Sequence, residues 1–264
     1  MQKIAFLLYY FLRWIDDTID RNHLPKNKKI RFLLRERKVI ENIFAGKQLK
    51  NLNDYETGLI LLRKFDKKIA IKIKRYVIDN YIKAFELELK RNEIVTKKWL
   101  SEYAYYVGGS FANFGLIITN PNLDTKIMNG ISKTCATAAD LTHLLRDFRK
   151  DLRTKKLNIP KEDIEKFNIE PNKLNENCRE LSNFARSQVN EIYKLFSSGE
   201  KYIKSTSSFR LRLASALFIS KYKFVLAKIK NRNYDLFSDY DHSTLSEKFI
   251  RMGIVLDDIL RLAF

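Results

Sequence analysis

Apolar residues recur three and four positions apart through almost the whole of this 264-residue chain, the period of an α-helix. Eight glycines and four prolines leave too little turn chemistry for the many short strands of an all-β fold. The spacing predicts helices at 2–20, 27–45, 54–91, 97–118, 124–153, 173–198, 208–231 and 244–262, the third breaking near Phe65. Punctuation falls between them at Pro25, Gly46 with Asn51 and Asn53, Asn120-Pro121-Asn122, Pro160, Pro171 and Gly199. With no internal repeat and no low-complexity linker, one helical domain is the simplest arrangement.

Composition narrows the partners without naming one. Cys135 and Cys178 lie far apart and have no metal-ligand spacing, so both read as reduced thiols. No apolar run reaches the ~18 residues of a membrane span. The apolar start, Met1 to Leu12, runs into Arg13 and three aspartates without a signal-peptide cleavage site, which makes a cytoplasmic protein the default expectation. The formal charge of +19 raises nucleic acid, an anionic membrane surface and a polyphosphorylated substrate as anionic partners. Most of it spreads along helix faces, as at Lys67 to Lys74, and a nucleic-acid recognition module is not apparent.

Two acidic constellations carry chemistry. In Arg13-Trp14-Ile15-Asp16-Asp17-Thr18-Ile19-Asp20, the carboxylates of Asp16 and Asp20 are four residues apart and project from one helix face, while Asp17 points elsewhere. Like charges at that spacing destabilise a helix unless a cation or basic partner offsets them. An acidic helix end paired with Arg13 and Arg21 would also account for this segment. In the second, His143, Asp147 and Asp151 fall at i, i+4 and i+8, with Asp140 one turn before and Arg146, Arg149 and Arg153 in step. Arginine forks suit phosphate oxygens, although intrahelical ion pairs on a solvated helix would produce the same pattern. Two such helices together are more specific than either: paired hard oxygens suit Mg²⁺ bridging carboxylates to a diphosphate. A Gly-rich phosphate loop, a nucleophile elbow and a His-Glu-x-x-His motif are all missing, and His23 and His242 read as surface residues.

These residues resemble the squalene/phytoene synthase family. Tyr9 to Asp20 is similar to the family's first aspartate-rich motif and Ala138 to Asp151 to its second, followed by Lys155 to Pro160. Tyr103 to Gly109 is similar to its tyrosine-rich stretch, and Leu213 to Tyr234 to its closing helix. The resemblance implies an all-α, single-domain bundle of the isoprenoid synthase type around a central cavity, spanning 1–264. It implies that Asp16, Asp20, Asp147 and Asp151 hold Mg²⁺ on diphosphate and that Tyr9, Arg13 and Arg146 contact phosphate oxygens. Asp17 would support the first cluster, Tyr103 would act in the cationic steps with Tyr106 beside the substrate, and Tyr222 would line the diphosphate region. The chain departs from the family where Asp140 and His143 replace Gln and Asn, where Lys150 replaces an acid, and where Asn158 replaces a tyrosine. It also begins almost at the first motif, without the family's upstream helix. Because Mg²⁺ prefers oxygen to imidazole, Asp140 is expected to complete the metal shell, with His143 orienting phosphate or water; Mn²⁺ would tolerate His143 directly.

The implied reaction joins two farnesyl or geranylgeranyl diphosphates head to head through a cyclopropyl diphosphate. Its cations require a dry tunnel with aromatic faces, for which Phe6, Tyr10, Phe11, Tyr106, Phe111 and Phe114 are candidates. The sequence does not decide among squalene, dehydrosqualene and phytoene products, nor NADPH use, oligomeric state, or peripheral membrane association for product release. Three rivals stand beside this expectation: a catalytically silent family member serving as an assembly factor, another Mg²⁺-dependent terpene synthase, and a basic nucleic-acid binder. The four principal aspartates argue against the first and leave the last without a reason for them.

Overall fold

The computed structural model describes residues 2–21, 23–240 and 242–264; Met1, at the head of the apolar start, lies outside them, as do Asn22 and Asp241. Among the described residues the regular structure is helical, with an isolated bridge between Ile94 and Leu157. The helices are α1 (Gln2–Ile19), α2 (Lys26–Phe44), α3 (Asp54–Phe65), α4 (Lys67–Ile73), α5 (Asp79–Leu89), α6 (Lys97–Thr119), α7 (Thr125–Ile131), α8 (Thr137–Arg146), α9 (Phe148–Arg153), α10 (Lys161–Phe167), α11 (Arg179–Lys204), α12 (Phe209–Asn231) and α13 (Leu245–Ala263). No described helix is long and apolar enough to cross a membrane. The chain forms two compact units, one of residues up to Arg91 with Gly109–Asn122, the other of Asn92–Gly108 with Leu123–Phe264.

In the first unit, the expected long helix over 54–91 is divided. Asp66 adopts an extended backbone and caps α4 by accepting from the Ile69 amide, so the break falls one residue beyond Phe65. At its head, Asn53 and Glu56 form a reciprocal capping box. Between α4 and α5, Lys74–Ile78 widens into a π-helical turn, which upsets the normal pairing of carbonyls. The Tyr76 carbonyl accepts instead from Asn80 Nδ2 and, across the unit, from Asn113 Nδ2 of α6, both at 3.1 Å. Asn113 is fully buried, so this bond also removes the penalty of an unpaired amide in the core. Trp14 anchors α1 by stacking on Tyr55 of α3 at 5.1 Å and meeting Phe32 of α2 edge-on.

The second unit gathers α7 to α13 with the first half of α6, and α11 runs through its core with Phe184, Val189, Ile192, Phe196 and Ile203 buried. The sequence expectation of a helix at 173–198 is corrected here. Pro171–Lys173 makes only a 3-10 turn, the helix starts at Arg179 with Cys178 as its cap, and it continues through Gly199 to Lys204. Gly199 is not a breaker but a contact. A Cβ there would stand 2.1 Å from Cys135 Sγ and 2.5 Å from Thr134 Oγ1, so only glycine lets α11 lie against the π-helical turn Ser132–Ala136. The unforeseen α10 occupies the stretch between Pro160 at its start and left-handed Asn168 at its end.

One test follows from the Gly199 contact. Alanine favours a helix by about 1 kcal/mol over glycine, yet the clash with two short side chains and the Cys135 backbone should outweigh this. Gly199→Ala is expected to lower unfolding stability by roughly 1–3 kcal/mol, the usual range for overpacking, measured by chemical denaturation. A stabilised variant would mean that the helices do not meet this closely.

Candidate active site

The acidic face of α1 is held in the first unit. The Asp20 amide donates to the Asp16 carbonyl at 2.9 Å, so the helical register persists to Asp20 and the two carboxylates stand one turn apart. Arg13 forks between Asp16 (3.0 Å) and Asp17 (2.8 Å) and is itself exposed. Asp16 is half-buried, and burial followed by the charge of Asp20 pushes its pKa up, partly countered by Arg13. Tyr81 of α5, 5% exposed, donates a hydrogen bond to Asp16. Burial, together with the two carboxylates, holds the Tyr81 hydroxyl firmly protonated. Sequence reasoning missed Tyr81, which lies 65 residues further along the chain and in an otherwise ordinary apolar helix pattern. Tyr9 is exposed on α1, as are Phe6 and Tyr10; Phe11, expected as a tunnel candidate, is instead fully buried against Trp14.

In the second unit, α8 gives way to α9 at Asp147, whose backbone leaves helical geometry. The register nevertheless carries through, because the Asp147 amide donates to the His143 carbonyl (2.8 Å) and the Asp151 amide to the Asp147 carbonyl (2.9 Å). Arg146 forks onto Asp147, Nε to Oδ1 at 2.9 Å and Nη2 to Oδ2 at 2.6 Å. Asp151 Oδ2 accepts from Asn158 Nδ2 at 2.8 Å, so the residue that departs from the family pattern tethers an acidic side chain. Arg149 bonds the Phe237 carbonyl and, with Arg153, lines a surface cleft bordered by Leu174, Glu176 and Phe237.

Behind this face, His143 Nε2 lies 3.2 Å from the Tyr222 hydroxyl, the two rings edge to face. Burial, then the charge of Arg146, lowers the His143 pKa to about 4, which leaves a neutral imidazole at neutral pH. Asp140 has one oxygen, Oδ2, sealed from solvent without a hydrogen-bond partner. Burial raises its pKa to about 8, so it is protonated near neutrality. Gly108 of α6 makes the burial possible: a Cβ there would lie 2.4 Å from the Ala136 carbonyl oxygen and 3.1 Å from Asp140 Cβ. On the same helix Tyr103 stacks on Trp99 at 5.0 Å, and Tyr106 sits half-buried beside Tyr105. His23 and His242 are exposed.

Among the described residues, no three His, Cys, Asp or Glu side chains converge closely enough to hold a metal ion by themselves. The donor chemistry nonetheless fits Mg²⁺, which takes one or two carboxylates and completes its shell with water and substrate phosphate. Asp16 with Asp20 and Asp147 with Asp151 offer such pairs, and a cation would relieve the repulsion that raises the Asp16 pKa. Asp140, expected to complete the shell, presents a protonated carboxyl in this form.

The helical architecture matches solved prenyl-coupling enzymes. A dehydrosqualene synthase solved with a ligand superposes with a TM-score of 0.73 at 19% identity, covering 97% of this chain and 86% of that one. A squalene synthase from Alicyclobacillus acidocaldarius gives 0.67 at 16% identity, covering 88% and 83%. This is the all-α isoprenoid synthase fold. The squalene/phytoene synthase family model matches residues 1–248, and the chain belongs to that family. A phytoene synthase of Arthrospira platensis is 23% identical over 258 residues, 90% of this chain and 78% of the relative. The chloroplastic phytoene synthase of Daucus carota is 24% identical over 220 residues, 78% of this chain; the match spans about half the carrot protein, 54%.

The Asp140 carboxyl yields a pH test. Its folded pKa of about 8 lies above the ordinary 3.8, so between those values the folded chain holds a proton that the unfolded chain has lost. Its contribution therefore falls as pH rises through that window. Asp140→Asn, which mimics the neutral acid, should gain on the wild type steadily from pH 4 to pH 8 in denaturation experiments. A pH-independent difference between the two would refute the buried neutral acid.

Proposed function

We propose that the chain is a prenyltransferase that condenses two prenyl diphosphates head to head, using Mg²⁺ held at Asp16/Asp20 and Asp147/Asp151. The observation that carries this reading is the repeated construction of the two acidic faces. Each sets two aspartates at i, i+4, pairs one of them with an arginine, and fastens one carboxylate with a neutral donor from elsewhere in its unit. A solvated acidic helix does not require a buried tyrosine such as Tyr81 to hold its carboxylate. Family membership supports the same reading.

Bound Mg²⁺ supplies neutralisation of the departing diphosphate, lowering the barrier to breaking the allylic C–O bond. Arg13 and Arg146, engaged with aspartates, would bring guanidinium charge to the phosphate oxygens. Tyr81 and Asn158 fix the carboxylates, so little reorganisation accompanies charge separation. Tyr222, hydrogen-bonded to neutral His143, presents a hydroxyl rather than a charge on the diphosphate side. Asp140 would have to lose its proton before it could serve as a metal ligand. Tyr103 and Tyr106 offer aromatic faces to the carbocation once diphosphate has left.

Incubation with farnesyl or geranylgeranyl diphosphate, with and without Mg²⁺ and NADPH, tests the reading. The expected product is a head-to-head hydrocarbon with twice the carbon count of the donor, formed only with the divalent ion. Only a longer linear diphosphate, or no turnover by folded protein on either substrate, would reject it. Asp16→Ala and Asp147→Ala should each reduce turnover by at least about 100-fold with unchanged helix content by circular dichroism. Full activity in either variant would remove that residue from the metal site.

A further inference from the structure

Helix α13 buries Leu262 and Ala263 against its unit but carries a second apolar stripe on its outer side. Two of its acids turn inward: Asp258 is fully buried, and Lys223 Nζ of α12 bonds both Asp258 Oδ1 (2.6 Å) and Glu200 Oε1 of α11 (2.8 Å). Arg261 pairs with the same two acids, and Glu247 is buried against Arg232. Its large apolar residues turn outward. Leu245, Phe249, Met252, Leu256 and Leu260 follow one another at intervals of four, three, four and four, and their exposure runs from 59% to 71%. Phe264 ends the stripe against the exposed Phe209 ring of α12, 5.7 Å away. A soluble helix normally buries such a stripe and exposes its charges. Contiguous exposed apolar surface of this kind marks an interaction site.

We propose that this face docks on an anionic lipid bilayer, with α13 lying in the plane of the interface and its apolar stripe among the acyl chains. The docking is independent of the prenyl reading above. Charge favours this occupant: the chain carries +19, and exposed Lys248 and Arg251 border the stripe on the helix itself. Asp257, the exposed acid of α13, is paired with Arg261. A second copy fits less well. Two copies would bring the like charges of Lys248 and Arg251 together without an exposed, unpaired acid on α13 to offset them. The family match stops at residue 248, so most of the stripe lies beyond it.

The test uses the whole protein and vesicles of phosphatidylcholine with or without phosphatidylglycerol. Wild type should co-sediment with the anionic vesicles, less so at high salt, and Phe249→Glu with Leu256→Glu should weaken partition at least about tenfold. A label independent of that variant's folding is an environment-sensitive fluorophore on Leu256→Cys, in a Cys178→Ser background that keeps a favourable helix cap. Its emission should shift to the blue on anionic vesicles alone. Equal sedimentation of the double variant, or vesicle binding without an emission shift, would overturn the proposal. So would a wild type that ignores vesicles but forms a dimer dispersed by the double substitution, since a second copy would then own the face.

Discussion

Two aspartates one helical turn apart repel each other, and burying either of them raises the cost. On α1 the chain accepts both penalties: Asp16 is half-buried, Asp20 stands one turn away, and the Asp16 pKa rises accordingly. Much of the first unit's architecture serves to keep that carboxylate in place. The stack of Trp14 on Tyr55 fixes α1 against α3, and Tyr81 reaches Asp16 from α5. The π-helical turn just before α5 is in turn stabilised by Asn80 and Asn113. An arrangement costly without a cation and well supported by its surroundings is what a metal-diphosphate site requires.

The second unit applies the same logic with different residues. Asn158 takes the role on Asp151 that Tyr81 takes on Asp16, and Arg146 forks onto Asp147 as Arg13 does onto its own acids. Behind the acidic face, α6 passes close to Asp140 at Gly108, Asp140 Oδ2 is shut off from solvent, and neutral His143 is bonded to Tyr222. These inner groups are uncharged at neutral pH, because burial disfavours the charged form of each.

Periodicity alone located most of the helices because their buried faces follow the helical repeat, as along α1 and the body of α11. It failed where local chemistry has a second use. Gly199 has the look of a stop because glycine usually breaks a helix, but here it admits a neighbouring turn. The π-helical turns add a residue without leaving a sequence mark that a 3.6-residue period can register. The acidic pairs were legible because i, i+4 spacing fixes which side chains share a face. Tyr81 was not, since its partner is 65 positions away and only folding joins them. The protonated state of Asp140 likewise follows from the approach of α6, which the local motif does not contain.

Binding of diphosphate through Mg²⁺ at the acidic faces is the step on which the proposed function stands. Its most direct test is calorimetric titration of the protein with an unreactive prenyl thiodiphosphate, in Mg²⁺ and in chelator. Binding should be at least about tenfold tighter in Mg²⁺, and the difference should disappear when Asp20 or Asp151 is replaced by asparagine. Equal affinity in chelator, or a Mg²⁺ effect that survives both replacements, would contradict it.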